Sequence, residues 1–264
     1  MSEKLYYFLS GFPRSGNTLL SSILNQNKNI SVYANSIIPE IFFDLENKII
    51  MNEMVKNFPD YSSIENISKN VFKNYYSHLD SEYVIDRSSW STNKNLEYLK
   101  KYCPNDIRII FLYRDILEIL ASFIKWSLEN DTFLNQFDTI EDRCHFLMRR
   151  DGPIMRHYLS IENLSKNKET VKYKFISYDE IVSNPNSTLK NIYNFLDIKF
   201  YQHNFLNIED YSVNGIFYDD SVVGNNLHKV RNKIEKVRYN VDDYLPDKII
   251  SFYGNLKIGD LTES

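Results

Sequence analysis

The chain has 264 residues, of which 43% are hydrophobic and 25% charged, with a formal net charge of −4; this is the profile of a globular protein long enough for one large α/β domain. The acidic balance argues against a general nucleic-acid binder, whose affinity would need a basic surface, so any anion site must be local. Two cysteines, Cys103 and Cys144, are too few for a disulfide framework or a metal-ligand cluster and read as reduced thiols.

Leu5 to Leu9 is a short apolar and aromatic run of the length of a buried strand. Gly11 and Gly16 follow, with Pro13, Arg14 and Ser15 between them. From Asn17 the pattern turns helical, with Leu19, Leu20, Ile23 and Leu24 spaced as one apolar face. A strand, a glycine-bounded turn and a helix N-terminus make an anion site, because backbone N–H groups point into the turn and the helix dipole adds positive charge.

The frame from Gly11 to Thr18 has the spacing of a Walker A loop, G-x-x-x-x-G-K-[ST], with Asn17 where the lysine belongs. That lysine reaches the β- and γ-phosphates of a nucleoside triphosphate, so an ordinary ATPase or kinase loses its most mechanistic residue here. Arg14 supplies a cation from inside the loop instead. The ligand this favours has a phosphate-like group at the turn and a differently organised second anionic end. Only 7 glycines occur in the chain, so two framing one turn argue for function over a plain tight connection. MSEKLYYFLSGF is too short an apolar run for a secretory leader, and no stretch has the apolar length of a membrane span. A soluble, cytoplasmic protein is expected.

Ile30 to Tyr33 reads as a short strand, Pro39 to Phe58 as a helix with Pro39 in its first turn, and Ile64 to Leu79 as another helix. Tyr83 to Ile85 is a short strand ending at Asp86, Arg87 and Ser88, and Thr92 to Tyr102 is helical up to Pro104. Ile107 to Tyr113 is the strongest strand signal, β-branched and aromatic without interruption, as a strand buried on both faces should be. It leads through Arg114-Asp115 into a helix from Ile116 to Leu128. A polar loop (Asn130 to Asp138) precedes a long helix from Thr139 to about Leu164, bent near Gly152-Pro153. Val171 to Ile176 is a strand, a helical turn spans Tyr178 to Val182, and Pro185 opens a helix to Leu196. From Asp197 to Asn240 loops dominate, and a last helix lies around Leu245 to Tyr253.

Strands alternating with helices imply an α/β fold, a P-loop-type three-layer arrangement whose central, mainly parallel sheet is flanked by helices, here as a single domain over 1–264. Ligands bind outside the carboxyl ends of such strands. That rule gathers Arg14, Asp86 with Arg87, Arg114, and Ser177 with Tyr178. Arg114 at a strand-to-helix junction suits a bidentate phosphate contact, and Ser122, two turns on, can add a hydroxyl. Taken alone, the pair reads equally well as a helix cap with a surface charge and a small packing residue.

PRSGNT (Pro13 to Thr18) and RDILEILAS (Arg114 to Ser122) together resemble the two nucleotide signatures of sulfotransferases that use 3′-phosphoadenosine 5′-phosphosulfate (PAPS). FLSGFPRSGNTLLSSILNQN is closest in flavour to the tyrosylprotein-sulfotransferase-like and bacterial branches. VIDRSSW (Val84 to Trp90), ISYDEIVSNP (Ile176 to Pro185) and LHKVRNKI (Leu227 to Ile234) extend the similarity over nearly the whole chain. The resemblance implies a 5′-phosphosulfate loop from Arg14 through Ser15, Gly16, Asn17 and Thr18 to Leu19. It implies a 3′-phosphate site at Arg114 and Ser122, Tyr178 near the adenine, and His228, Lys229 and Arg231 closing over the phosphates. Tyr178 reads equally as a core aromatic, and Lys229 with Arg231 as a solvated basic strip. The implied reaction is transfer of the sulfuryl group to a hydroxyl or amine, releasing 3′-phosphoadenosine 5′-phosphate (PAP), with no metal.

Arg14 is the candidate for stabilising the transferring group. Asp86 is the first choice of general base, with Arg87 as its partner or as a sulfuryl clamp, and Glu40 is the alternative carboxylate. Asp86 and Arg87 read equally as a structural ion pair at a strand end. The relatives' base positions differ: where the tyrosine-sulfating enzymes place a glutamate, this chain has Ala34, Asn35 and Ser36. A P-loop nucleotide or small-molecule kinase and a non-catalytic nucleotide-binding module stand as alternatives. The acceptor stays open among small molecules, carbohydrates, lipids and peptides. The helices from Pro39 to Leu79 and the loop from Asn130 to Asp138 are expected to shape its pocket.

Overall fold

The computed structural model describes residues 4–256 and Ile258. Five parallel strands make the central sheet: β1 (Leu5–Gly11), β2 (Ile30–Ala34), β3 (Tyr83–Arg87), β4 (Arg108–Tyr113) and β5 (Lys172–Ser177), in the order β2-β3-β1-β4-β5. Side chains alternate between the faces along each strand. Tyr6, Phe8, Val84, Ile109 and Phe111 therefore enter one hydrophobic core, while Tyr7, Leu9, Ile85, Ile110 and Leu112 enter the other. β1 is flanked by β3 and β4, so the carboxyl ends of these three strands lie side by side, with Leu9 opposite Arg87 and Gly11 opposite Leu112.

Helix α1 (Asn17–Leu24) joins β1 to β2. Between β2 and β3 lie α2 (Ile38–Asp44), α3 (Glu53–Asn57), α4 (Tyr61–Lys69) and α5 (Val71–Tyr75), and α6 (Asn93–Tyr102) precedes β4. Helices α7 (Ile116–Glu129), α8 (Ile140–Leu147) and α9 (Met155–Lys166) separate β4 from β5; α10 (Tyr178–Ser183), α11 (Pro185–Leu196) and α12 (Asp247–Tyr253) follow.

Three expected helices are divided. The one over Pro39 to Phe58 becomes α2, a π-type turn at Leu45–Ile49, and α3. Only its first half packs: Phe42 and Leu45 are buried, whereas Ile49, Met51, Met54 and Phe58 are exposed. The helix over Ile64 to Leu79 is cut at Asn70, whose side-chain amide donates to the Asn66 carbonyl at 2.8 Å. The long helix from Thr139 breaks outright. Ile154 donates its N–H back to the Leu147 carbonyl (3.1 Å), and a Cβ on Gly152 would stand 2.6 Å from that same oxygen. The loop-dominated segment from Asp197 also holds an antiparallel hairpin, β6 (Ser212–Val213) and β7 (Ile216–Phe217). Its two turn residues, Asn214 and Gly215, both have positive φ, the backbone that an Asn-Gly pair favours.

The loop after β1 is held hard against β4. The Phe12 N–H donates to the Leu112 carbonyl at 2.9 Å, and a Cβ on Gly11 would fall 2.2 Å from that oxygen, at a φ of 136°. Gly11→Ala is expected to destabilise the fold by roughly 2–5 kcal/mol, combining backbone strain with overpacking. Gly215→Ala, also at positive φ but with nothing within 4 Å, should cost only about 1 kcal/mol. Thermal unfolding of the two variants measures the difference.

Candidate active site

The loop's polar side chains are spent on its own shape. Ser15, fully buried, donates Oγ–H to the Phe12 carbonyl at 2.5 Å. Asn17 donates Nδ2–H to that same carbonyl (2.7 Å) and to Ser15 Oγ (3.2 Å). The residue standing in for the Walker lysine therefore closes the turn from inside. Arg14, held at a φ of 61°, is the loop's cation. Its Nε donates to Ser122 Oγ at 3.0 Å and its Nη1 to the Leu227 carbonyl at 2.7 Å.

Ser122 comes from α7, so the two sequence motifs meet in one hydrogen bond. Arg114 strengthens the junction by donating Nη1–H to the Arg14 carbonyl at 3.3 Å. Both motifs line one cavity of about 1170 Å³ at the carboxyl end of the sheet, together with Gly16, Thr18, Leu19, Arg87, Tyr178, His228, Lys229 and Arg231. Small-ligand sites run to roughly 300–1,000 Å³, so this one has room for a nucleotide with a second molecule beside it.

Three of the arginines that line the cavity, Arg14, Arg87 and Arg114, come from strand ends, and their compensation differs. Arg114 is paired with Glu118 at 2.8 Å, one helical turn along α7, and lies over the Tyr178 ring at 4.2 Å. Arg238 grips the same Glu118 and also Asp179, tying the segment after Leu227 across the site. Val237 bridges there too: its carbonyl accepts from Arg114 Nη2 (2.7 Å) and its N–H donates to Tyr178 Oη (3.1 Å). Arg87 is 9% exposed and Arg14 half-buried. Among the described residues neither forms an ion pair with a carboxylate. Arg87 meets Thr18 Oγ1 (3.3 Å), Ser21 Oγ (3.4 Å) and the faces of Tyr218 and Tyr211 (5.5 and 5.7 Å). Burial pulls both guanidinium groups below their usual value, Arg87 to about 10.

Asp86 is not brought to the cavity, and the expected Asp86–Arg87 pair does not form. Neighbours on a strand face opposite ways. Arg87 turns toward α1, while Asp86, fully buried, accepts from Tyr76 Oη (2.7 Å) and Trp90 Nε1 (3.0 Å) under the other face. Burial pushes its carboxyl up to about 7. Ser177 is likewise committed elsewhere, as the cap of α10 in reciprocal bonds with Glu180. Arg231 lines the cavity while pairing with Glu235 at 2.8 Å, and Lys229 lines it exposed. Of the segments expected to shape an acceptor pocket, only Glu40 and Phe133 reach the wall. Their neighbours there are Asn35 and Ser36, noted above at the relatives' glutamate position, and Phe123, Pro153, Arg156 and His157, none of which the sequence marked as a site residue. Arg156 and His157 were hidden inside a helix read as bent but unbroken; the break before α9 brings them to the site. Among the described residues no group of three or more His, Cys, Asp or Glu is placed to hold a metal, and no helix is long and apolar enough to cross a membrane.

Residues 6–215 match the family described as "Sulfotransferase domain". No curated protein sequence matches the chain. Among solved structures it is similar to mouse sulfotransferase SULT7A1 complexed with PAP, at 16% identity and a TM-score of 0.58, covering 100% of this chain and 86% of that one. A sulfotransferase from Alicyclobacillus acidocaldarius aligns at 11% identity and a TM-score of 0.54, covering 99% and 95%. Retinol dehydratase in a complex with retinol and PAP aligns at 14% identity and a TM-score of 0.54, covering 100% and 83%. At these identities the likeness is one of fold.

The placement of Asp86 has a thermodynamic signature. Its folded value, about 7 against an ordinary 3.8, means the folded state keeps a proton that the unfolded chain releases between about pH 4 and pH 7. Stability is therefore present at the acid end of that window and lost as pH rises through it, by up to about 1.4 kcal/mol per pH unit. Asp86→Asn removes this dependence while keeping a carbonyl for Trp90. From pH 5.5 to 7.5 the wild-type protein should lose roughly 2 kcal/mol relative to the variant, measured by denaturant unfolding at each pH.

Proposed function

We propose that this chain, which belongs to the sulfotransferase domain family, transfers the sulfuryl group of PAPS to a hydroxyl or amine of an acceptor and releases PAP. The observation that carries this reading is the pair of guanidinium groups, Arg14 and Arg87, that face one cavity without a carboxylate partner among the described residues. Withdrawing a cation from water without a counter-ion costs several kcal/mol. The arrangement makes sense where a polyanion completes it.

In this reading the backbone amides from Arg14 to Thr18 and the start of α1 at Leu19 hold the 5′-phosphosulfate. Ser15 and Asn17 act indirectly, by fixing the turn. Arg114 and Ser122 hold the 3′-phosphate, Tyr178 borders the adenine, and Lys229 and Arg231 approach the phosphates from the closing segment. Arg14, contacting Ser122 and one peptide from the closing segment, serves both ends of the ligand. Arg87 enters from β3 toward Thr18, opposite the loop, where it can grip the sulfuryl oxygens. PAPS supplies an activated sulfuryl group. The protein's contribution is to align donor and acceptor in line and to place positive charge where negative charge gathers on the sulfuryl and bridging oxygens. Glu40, Arg156, His157, Phe123 and Phe133 border the space left for the acceptor, a mixed wall that suits a ligand with polar and apolar parts.

PAP at a hundredfold excess over its Kd should raise Tm by about 5 °C or more, and ATP with Mg²⁺ should not; stabilisation by ATP and not by PAP would point to the kinase reading and reject this one. Arg87→Met separates function from stability. With the buried charge gone, the Tm without ligand should hold or rise, while sulfuryl transfer from labelled PAPS falls about 100- to 1,000-fold. PAP carries no sulfuryl group, so its affinity should change far less in Arg87→Met than in Arg114→Ala.

A further inference from the structure

Transfer to a hydroxyl leaves a proton to be taken up, and the first-choice carboxylate, Asp86, lies sealed beneath the sheet. His157 borders the cavity but is a poor substitute: its Nδ1 is buried without a partner, and burial drives the ring down to about 3. Glu40 stands exposed on the acceptor wall beside Arg156. One group on the cavity is both held in place and free to accept.

We propose that His228 is the general base of the sulfuryl transfer, with Asp220 as the residue that positions it. The inference rests on the sulfotransferase reading and names the residue that completes it. Asp220 opens a short 3₁₀ turn and holds His228 at two points, Oδ2 accepting the backbone N–H (2.8 Å) and Oδ1 meeting ring Nδ1 (2.6 Å). The Tyr218 ring lies flat against the imidazole, 3.7 Å away and within 4° of parallel. The ring is thus fixed in position, tilt and rotation. A carboxylate at Nδ1 keeps the proton on that nitrogen and leaves the lone pair on Nε2. No protein group among the described residues bonds Nε2, and His228 lines the cavity.

Its neighbours are those assigned to the transferring group. The carbonyl of the preceding residue, Leu227, accepts from Arg14, and Tyr218, stacked on the imidazole, also lies under Arg87. The titratable and charged groups facing the ring are therefore Asp220 and Tyr218 from its own segment, Arg87 from β3 and Arg14 from the loop. Burial and the two arginines lower its proton affinity, and Asp220 raises it. The net direction is downward, so the ring is neutral and able to accept a proton near pH 7. In the step itself the acceptor's O–H proton passes to Nε2 while its oxygen bonds the sulfur. The bond from sulfur to the 5′-phosphate oxygen breaks, the electron pair leaves with PAP, and the imidazolium later gives its proton to water. The two guanidinium groups favour that release.

The test follows PAP release from PAPS with water and with 2-naphthol as acceptors, alongside PAP binding by thermal shift. His228→Asn should lower kcat at pH 7 about 100-fold or more, keep PAP affinity within about threefold, and abolish the acid limb of the kcat profile below about pH 6.5. Asp220→Asn should lower kcat about tenfold, leave KM for PAPS in place and move that limb to lower pH, since the carboxylate that raises the ring's proton affinity is gone. His228→Gln with a wild-type Tm guards against misfolding as the cause. Turnover by His228→Asn within threefold of wild type with the acid limb kept, or loss of that limb in Glu40→Gln instead, would overturn the assignment while the sulfotransferase reading stands. A wild-type protein that releases no PAP from PAPS overturns both.

Discussion

A guanidinium taken out of water needs an anion beside it, and the carboxyl end of this sheet gathers more such groups than the described carboxylates answer. Arg14 follows β1, Arg87 ends β3 and Arg114 follows β4, three strands adjacent in the order β3-β1-β4. Among the described residues only Arg114 of these arginines is ion-paired, through Glu118. Parallel strands set this up, because every strand of such a sheet delivers its last residues to the same edge. The loop can then approach closely only because Gly11 lets its backbone lie on the Leu112 carbonyl. Removing that contact would move Arg14 relative to Ser122 and Arg114, and the bonds joining the two motifs would go with it.

The acidic net charge of the chain is consistent with this concentration of positive charge, because the acids sit behind it. Glu118 holds Arg114 and Arg238, Asp179 holds Arg238 and Lys236, and Glu235 holds Arg231 and Lys233. The pairs to Glu118 and Asp179 pin the segment from Leu227 to Tyr239 over the cavity, and with Glu235, which lies in the segment itself, they use up most of its cations. Lys229 belongs to none of these pairs, and Arg14 and Arg87 stand outside the network. A ligand's phosphates would therefore compete with Glu118 for Arg114, while no carboxylate among the described residues competes for Arg87. The ionic contacts that seat the closing segment are exposed on at least one side and will weaken with salt before the buried Arg114–Glu118 pair does.

Much of the fold was legible from periodicity. All five strands of the sheet, the helix after the loop, and the helices at Asn93–Tyr102, Ile116–Glu129 and Pro185–Leu196 follow from runs whose local preference and burial agree. The failures came where they disagree. Ile49, Met51, Met54 and Phe58 have helical spacing but no surface to bury against, so spacing alone overextended a helix. Gly152-Pro153 was read as a bend, yet the backbone returns to Leu147 there, a closure over seven residues that helical spacing does not encode. In the site, the convergence of Arg14, Arg114 and Ser122 was readable because both motifs sit directly at strand ends. Arg156 and His157, which line the cavity, and Tyr218 and Asp220, which stand behind His228, were not, because each comes from a segment whose path depends on tertiary packing.

The same alternation that makes the sheet explains why a proton acceptor should come from elsewhere. Adjacent residues at a strand end cannot both face the ligand: Arg87 takes the cavity side of β3, and Asp86 is thereby turned under the sheet toward Tyr76 and Trp90. Exchanging the two roles would bury an arginine among aromatic side chains, and inserting a residue would flip every side chain beyond it. A group that must face the same point as Arg87, from the opposite side, has to be carried by chain outside the sheet's two-residue period. The segment through Asp220 and His228 meets that condition, since its geometry is set by side-chain bonds and ring stacking rather than by a ladder. Its attachment through the Leu227 carbonyl to Arg14 then couples the placement of the imidazole to the loop itself, so the proposed acceptor of the proton and the cation at the transferring group are positioned by one contact.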